Sequence, residues 1–250
     1  GAGPGAPDLI TVRGYKAILE ADLLVVAGSL VSEAVYQDRS PACRVVDSAP
    51  LNLEQITSLL IAGWQQNLKT VRLHTGDPTL YGAIQEQMAV LAQSGVPCRI
   101  IPGVTSSLAA AAVLGLEWTL PEVTQTLILT RAPGRTPMPP GEDLASLCAH
   151  RSSLALYLSA AQGEAVSRIL AEHYGPQSPV ALCYRVTWPD ERIIWTTAED
   201  LPRTLAAEKL ERHTLMLIGP AVSALKNGTS IPKSRLYDPA FSHLCREGSR

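Results

Sequence analysis

Apolar residues recur along this chain at two periods, and the alternation between them lays out the fold. Val12, Tyr15, Ile18 and Leu19 fall at helical spacing between Thr11 and Ala21. DLLVVA at Asp22–Ala27 follows as the short, unbroken apolar run of a buried strand. The spacing then predicts a helical segment over Leu30–Gln37, a strand over Arg44–Val46, a helix over Leu53–Gln66 and a strand over Thr70–His74. A helix over Ala83–Ser94, a strand over Pro97–Ile101 and an alanine-rich helix over Ser107–Leu114 complete the first half. Strand and helix in this rhythm mean βαβ units and a mainly parallel sheet. Such a sheet calls for a strand ahead of Gly1, so several native residues are expected to precede it.

The character changes after Leu114. Gly115–Val123 (GLEWTLPEV) breaks the pattern and reads as a linker, QTLILT gives a strand, and Arg131–Gly141 is a long loop rich in proline and glycine. Strands are expected over Ser153–Leu158, Val180–Tyr184, Ile193–Thr197 and Thr214–Ile218, with helices over Gln162–Tyr174 and Glu199–Glu208. The WPDE turn at Trp188–Glu191 joins two of these strands as a hairpin. The expected organisation is a two-domain α/β fold. An N-terminal α/β domain (1–114) carries the mainly parallel sheet, and a linker (115–123) leads to a C-terminal α/β domain (124–222) with a mixed sheet. A polar, loosely held tail (223–250) follows, and a ligand cleft is expected between the two domains.

Composition narrows the function classes. The chain has 250 residues, 46% of them hydrophobic, which is ample for a sizeable core. A net charge of −2 argues against nucleic acid as a partner, since such proteins carry a basic stripe. No apolar stretch reaches the ~18 residues of a bilayer span, so no membrane partner is expected. The five cysteines form no CxxC or Cys/His pattern. No metal site is expected, and buried reduced thiols fit a cytoplasmic protein.

Three glycine-containing turns lie where strands give way to helices: GAGPG at Gly1–Gly5, HTGDPTLYG at His74–Gly82 and IPGVTS at Ile101–Ser106. Bare backbone at such positions can approach a small molecule. GAGPG fits the loose dinucleotide fingerprint, but Pro4 removes a backbone donor and no acid follows the strand ending at Ala27. Nicotinamide binding is therefore disfavoured. Asp77 and Pro78 read either as a helix start or as ligand groups, and Thr105–Ser106 likewise either cap a helix or bind. The five histidines form no nucleophile–base–acid pattern, and no general base is assigned.

Taken together, GAGPG, TGDP with Tyr81-Gly82, and PGVTS closely resemble the tetrapyrrole methylase family, whose fold the diphthine synthases share. ADLLVVAGSLV, VRLHTGDPTLYGAIQEQM, TQTLILTRAPGRTP, TWPDE and SRLYDPAFSH extend the resemblance from Gly1 to His243. They narrow it to the branch that methylates carbon 11 of precorrin-4 or cobalt-precorrin-4 in cobalamin synthesis. Ala6 departs from the Asp that many relatives carry after GAGPG.

The resemblance implies an S-adenosylmethionine-dependent C-methyltransferase, releasing S-adenosylhomocysteine, and commonly a homodimer. Carried over by motif, Pro4 lines the cofactor pocket, Thr75, Gly76 and Asp77 hold its polar end beside Leu80, and Thr105 and Ser106 sit near its methionine part. Leu158, Arg185, Val186, His213 and Thr214 enclose the adenosine, with His213 equally readable as a surface residue. For a macrocycle edged with carboxylates, Arg131 and Arg135 are the first cationic candidates, each alternatively a solvated loop residue. His74 either donates to a substrate carboxylate or is a core histidine, and Tyr81 either lines the macrocycle or packs. The metal state of the substrate is left open, as are two alternatives: another methylase of the superfamily, and a non-catalytic nucleotide-binding module.

Overall fold

The computed structural model describes residues 1–134, 136–229, 234–242 and 244–247. The chain divides into two units, Gly1–Ala110 with Arg185–Glu191, and Ala111–Tyr184 with the chain from Arg192 onward.

The first unit is built around β1 (Leu23–Val26), which pairs in parallel with β2 (Arg44–Asp47) on one side and β3 (Thr70–Leu73) on the other. A central strand covered on both faces must be apolar at every position, and all four β1 residues are buried. Its faces serve two cores. Leu24 and Val26 meet Ile18 of α1 (Val12–Leu19), whereas Leu23 and Val25 meet Ile56 and Leu60 of α2 (Leu53–Gln65) and Leu91 of α3 (Ile84–Gln93). Complete burial of one such leucine is worth roughly 1.5–3 kcal/mol. The helix starts are local: Thr11 accepts from the Gly14 amide, and Asn52 and Gln55 exchange bonds in a capping box. The alanine-rich helix is α4 (Ser106–Leu114).

Two expectations fail here. Leu30–Gln37 holds only a short 3-10 turn, Glu33–Tyr36, although Val31, Val35 and Tyr36 all reach the core. Pro97–Ile101 is no strand. A strand exists through its ladder, and this segment has none; Thr70–His74 and Val96–Ile101 both line a cavity of about 750 Å³.

The second unit contains β4 (Leu127–Arg131), β5 (Ser153–Tyr157), β6 (Pro179–Tyr184), β7 (Arg192–Thr197) and β8 (Thr214–Ile218), in the order β4-β5-β8-β6-β7. β4 and β5 run parallel, and the other neighbours are antiparallel. β8 is central and wholly buried. The core joins Leu154, Leu156, Leu182, Met216 and Ile218 to Val166 and Leu170 of α6 (Gly163–Tyr174). α7 (Leu201–Ala207) follows β7.

Two helices here escape the sequence pattern. α5 (Leu144–Ala149) is six residues long, too short to show a period, and is fixed by an Asp143 cap on the Ser146 amide. α8 (Pro220–Asn227) carries ordered structure past the expected boundary at Val222, because Ala221, Val222 and Ala224 are buried. No helix among the described residues is long and apolar enough to cross a membrane.

Candidate functional site

In the first unit the three glycine turns converge. Gly3 and Gly76 form an antiparallel bridge, with Gly76 N donating to Gly3 O at 2.8 Å, and Ala2 N donates to His74 O at 2.7 Å. The third turn abuts both: a Cβ on Gly103 would lie 2.1 Å from Gly76 O and 2.8 Å from the Gly1 Cα. No side chain fits there, so glycine is obligatory by space. The three motifs noted in the sequence are thus one constellation of main chain.

Asp77 is its fastener. One carboxylate oxygen accepts from the Thr79 amide (2.8 Å) and hydroxyl (2.5 Å), and the other accepts from the Gly103 amide at 2.9 Å. Burial opposes its ionisation, but these hydrogen bonds outweigh that and hold the carboxyl below its usual range. α3 begins only at Ile84, so Asp77 and Pro78 are not its cap; they build the turn. Beyond them Tyr81 (φ 56°) and Ala83 (φ 48°) occupy the left-handed region, and Tyr81 is exposed. Pro4 and Gly76 are buried, while Thr75, Leu80, Thr105 and Ser106 are half-buried, with Thr105 O receiving the first amides of α4.

His74 is buried, and its pKa is pushed down to about 4 by that burial, by Arg72 and by the chain's amino end. These surroundings favour the neutral imidazole, which keeps one N–H to donate. Arg131 is bonded to its own loop. Its Nη1 donates to Ala132 O and Thr136 O, and its Nη2 to Pro137 O at 2.9 Å. The side chain organises the Pro-rich loop rather than projecting from it. Arg135 lies outside the described residues.

Strain lies just outside the ends of three central strands of the second unit's sheet. The register Leu156↔Met216 and Tyr184↔Thr214 places the ends of β5 and β6 beside the start of β8. Leu158 (φ 54°), Arg185 (φ 46°) and His213 (φ 55°) follow or precede those strand ends, all left-handed. Each such non-glycine residue costs about 1–2 kcal/mol, and clustering of this strain points to function. Leu158 is 70% exposed, a large apolar side chain held outward at a cost. His213 is exposed, whereas Thr214 and Val186 are buried.

Ser159, which sequence reasoning passed over, ties this edge together. Fully buried, its hydroxyl donates to Tyr157 O at 2.6 Å and accepts from Ala132 N at 2.7 Å, joining the exits of β4 and β5. A single serine after a strand carries no signal in sequence. Among the described residues, no three His, Cys, Asp or Glu side chains are grouped to hold a metal ion.

The comparisons with known proteins agree with this architecture. A family model described as tetrapyrrole (corrin/porphyrin) methylases matches residues 1–202. A precorrin-4 C(11)-methyltransferase of Pseudomonas aeruginosa is 44% identical over 99% of this chain and 97% of its own length. A cobalt-precorrin-4 C(11)-methyltransferase of Methanocaldococcus jannaschii is 42% identical over 100% of this chain and 95% of its own. Among solved structures, a cobalt precorrin-4 methyltransferase superposes with a TM-score of 0.86 at 42% identity, covering 89% of this chain and 93% of that one. Uroporphyrin-III C-methyl transferase from Thermus thermophilus, complexed with S-adenyl homocysteine, gives 0.71 at 26% identity, covering 89% and 96%. From Gly1 to Pro202 the matched residues include all three glycine turns, and the chain belongs to the tetrapyrrole methylase family.

Proposed function

We propose that this protein transfers a methyl group from S-adenosylmethionine to carbon 11 of precorrin-4 or cobalt-precorrin-4 in cobalamin synthesis, as a cytoplasmic homodimer. The observation that carries the reading is near-complete coverage, at 42–44% identity, of relatives named for that one reaction. A neighbour of the same fold holding S-adenyl homocysteine supports the donor.

The residues suit such a donor. Pro4, Thr75, Gly76, Thr105 and Ser106 offer main chain and hydroxyls for its amino-acid end. Asp77 holds two of the turns in place rather than needing to touch it. Leu80 and Val186 of the first unit and Leu158 of the second are the apolar groups proposed for the adenosine, and Arg185, His213 and Thr214 are the polar ones. Tyr81, exposed, left-handed and lining a cavity of about 370 Å³, is assigned to the macrocycle, as is the loop that Arg131 organises. Arg135 remains its proposed cation.

When bound, the donor would supply an electrophilic methyl on sulfonium: the ring carbon would provide the electron pair of the new C–C bond, the S–CH₃ pair would stay on sulfur, and the acceptor would release one proton to solvent. The protein's part is alignment and exclusion of water, which can supply much of the acceleration. Rigid main-chain turns serve that purpose well, because they hold a polar ligand without long side chains to order. A triad is unnecessary for such a displacement.

The test is incubation of the protein with the methyl donor and each form of precorrin-4, followed by mass spectrometry. Gain of one methyl group with release of S-adenosylhomocysteine is expected. Absence of transfer to either form overturns the proposal.

A further inference from the structure

The segment joining β6 to β7, Arg185–Glu191, counts with the first unit, and its bonds explain why. The Trp188 indole N–H donates to Pro4 O at 2.9 Å, and Thr187 Oγ1 accepts from Ala6 N at 3.0 Å. Peptide groups of a tight glycine turn cannot all pair within a ladder, and these two are satisfied from 181 or more residues away along the chain. The Trp188 ring also occupies the space over Gly5, where a Cβ would lie 2.2 Å from its Cδ1.

The segment is itself braced. The Arg185 guanidinium stacks 4.1 Å from the Trp188 ring and pairs with Asp190 at 2.6 Å. Thr187 N donates to Glu191 Oε2 at 2.6 Å. Arg185 and Thr187 are both left-handed, Thr187 at φ 68°. For a β-branched residue that conformation is a genuine outlier. It persists because bonds on both sides of Thr187 over-determine it.

We propose that Thr187 and Trp188 are positioning residues: they set the shape of the first glycine turn, and through it the affinity for the methyl donor. The proposal rests on the methyl-donor reading above. Arg185 braces the segment through its side chain, which is committed to Trp188 and Asp190.

The experiment is calorimetric titration of the full chain with S-adenosylhomocysteine, with thermal midpoints and the KM for precorrin-4 measured alongside. Trp188→Phe removes the indole donor but keeps a ring over Gly5; Thr187→Val removes the acceptor at constant shape, and Thr187→Ser retains it. Trp188→Phe and Thr187→Val are expected to bind about five- to tenfold more weakly, the scale of one neutral hydrogen bond. Thr187→Ser should stay within about twofold of the parent, and the KM for precorrin-4 should not move. A purely structural clasp would lower the thermal midpoint while leaving affinity intact, and that result overturns the proposal. So does a Thr187→Ser variant as weak as Thr187→Val. Should Trp188→Phe fail to fold, the Thr187 pair decides alone. Parent protein that shows no saturable binding overturns the donor reading and this proposal together; parent binding with unaffected variants overturns only the proposal.

Discussion

Replacing Leu158 by asparagine should leave the fold as stable as before, or more so, while weakening the methyl donor's binding. Leu158 holds φ 54° and is 70% exposed. The left-handed conformation costs a leucine about 1–2 kcal/mol, and asparagine tolerates it far better. Against that gain stands the buried third of the side chain, worth about 0.5–1 kcal/mol of a full leucine's roughly 1.5–3. The net change is between zero and about 1.5 kcal/mol of stabilisation, equivalent to at most about 3–6 °C in a domain of this size. Covering the exposed remainder with ligand is worth about 1–2 kcal/mol, so affinity for S-adenosylhomocysteine should fall about 5- to 30-fold. Denaturant titration and calorimetry on the same preparation read both quantities. A variant destabilised by more than about 1 kcal/mol with unchanged affinity would refute the reasoning, making Leu158 a structural residue whose strain serves packing.

Asp77→Ala should weaken S-adenosylhomocysteine binding about tenfold and lower stability by about 2 kcal/mol, because it strands the Gly103 and Thr79 donors; a stable variant with full affinity contradicts that role. Arg131→Lys should raise the KM for precorrin-4 several-fold without altering donor affinity, since an ammonium cannot reproduce the fork that holds Thr136 O and Pro137 O; steady-state kinetics check it, and an unchanged KM counts against the loop assignment. His74 stays neutral in the fold down to about pH 4, whereas in the unfolded chain it takes a proton near 6.5. The unfolded state therefore binds more protons between those values, and stability falls as pH drops from about 6.5 to 4, by up to about 3 kcal/mol. In His74→Asn that acid slope should flatten in urea titrations; equal slopes would place the sensitivity elsewhere.

How far the sequence carries depends on the range of the interaction. β1 was legible because a central strand writes its burial into four consecutive apolar residues, and α2 because its capping box and period agree. Pro97–Ile101 (PCRII) sits where the alternation of helix and strand calls for a strand, yet a strand also needs a partner, which no local pattern reports. α5 was invisible at six residues, too few for a helical period. Glycine turns announced themselves by residue type, and the close approach of Gly103 to Gly76 O accounts for why that type is required. Side-chain roles were harder. Residue type shows that Arg131 and His74 can donate hydrogen bonds, but not that loop carbonyls take up the Arg131 guanidinium or that burial favours a neutral His74. Thr187, Trp188 and Ser159 act through bonds to Ala6, Pro4 and Ala132, contacts that only the folded chain brings within reach.

The most direct measurement is carbon-13 NMR of the product formed from precorrin-4 and a donor labelled at its methyl carbon. One enriched methyl resonance coupled to ring carbon 11 is predicted, and it should vanish without the protein. A label found at another ring carbon, or left entirely on the donor, would contradict the account.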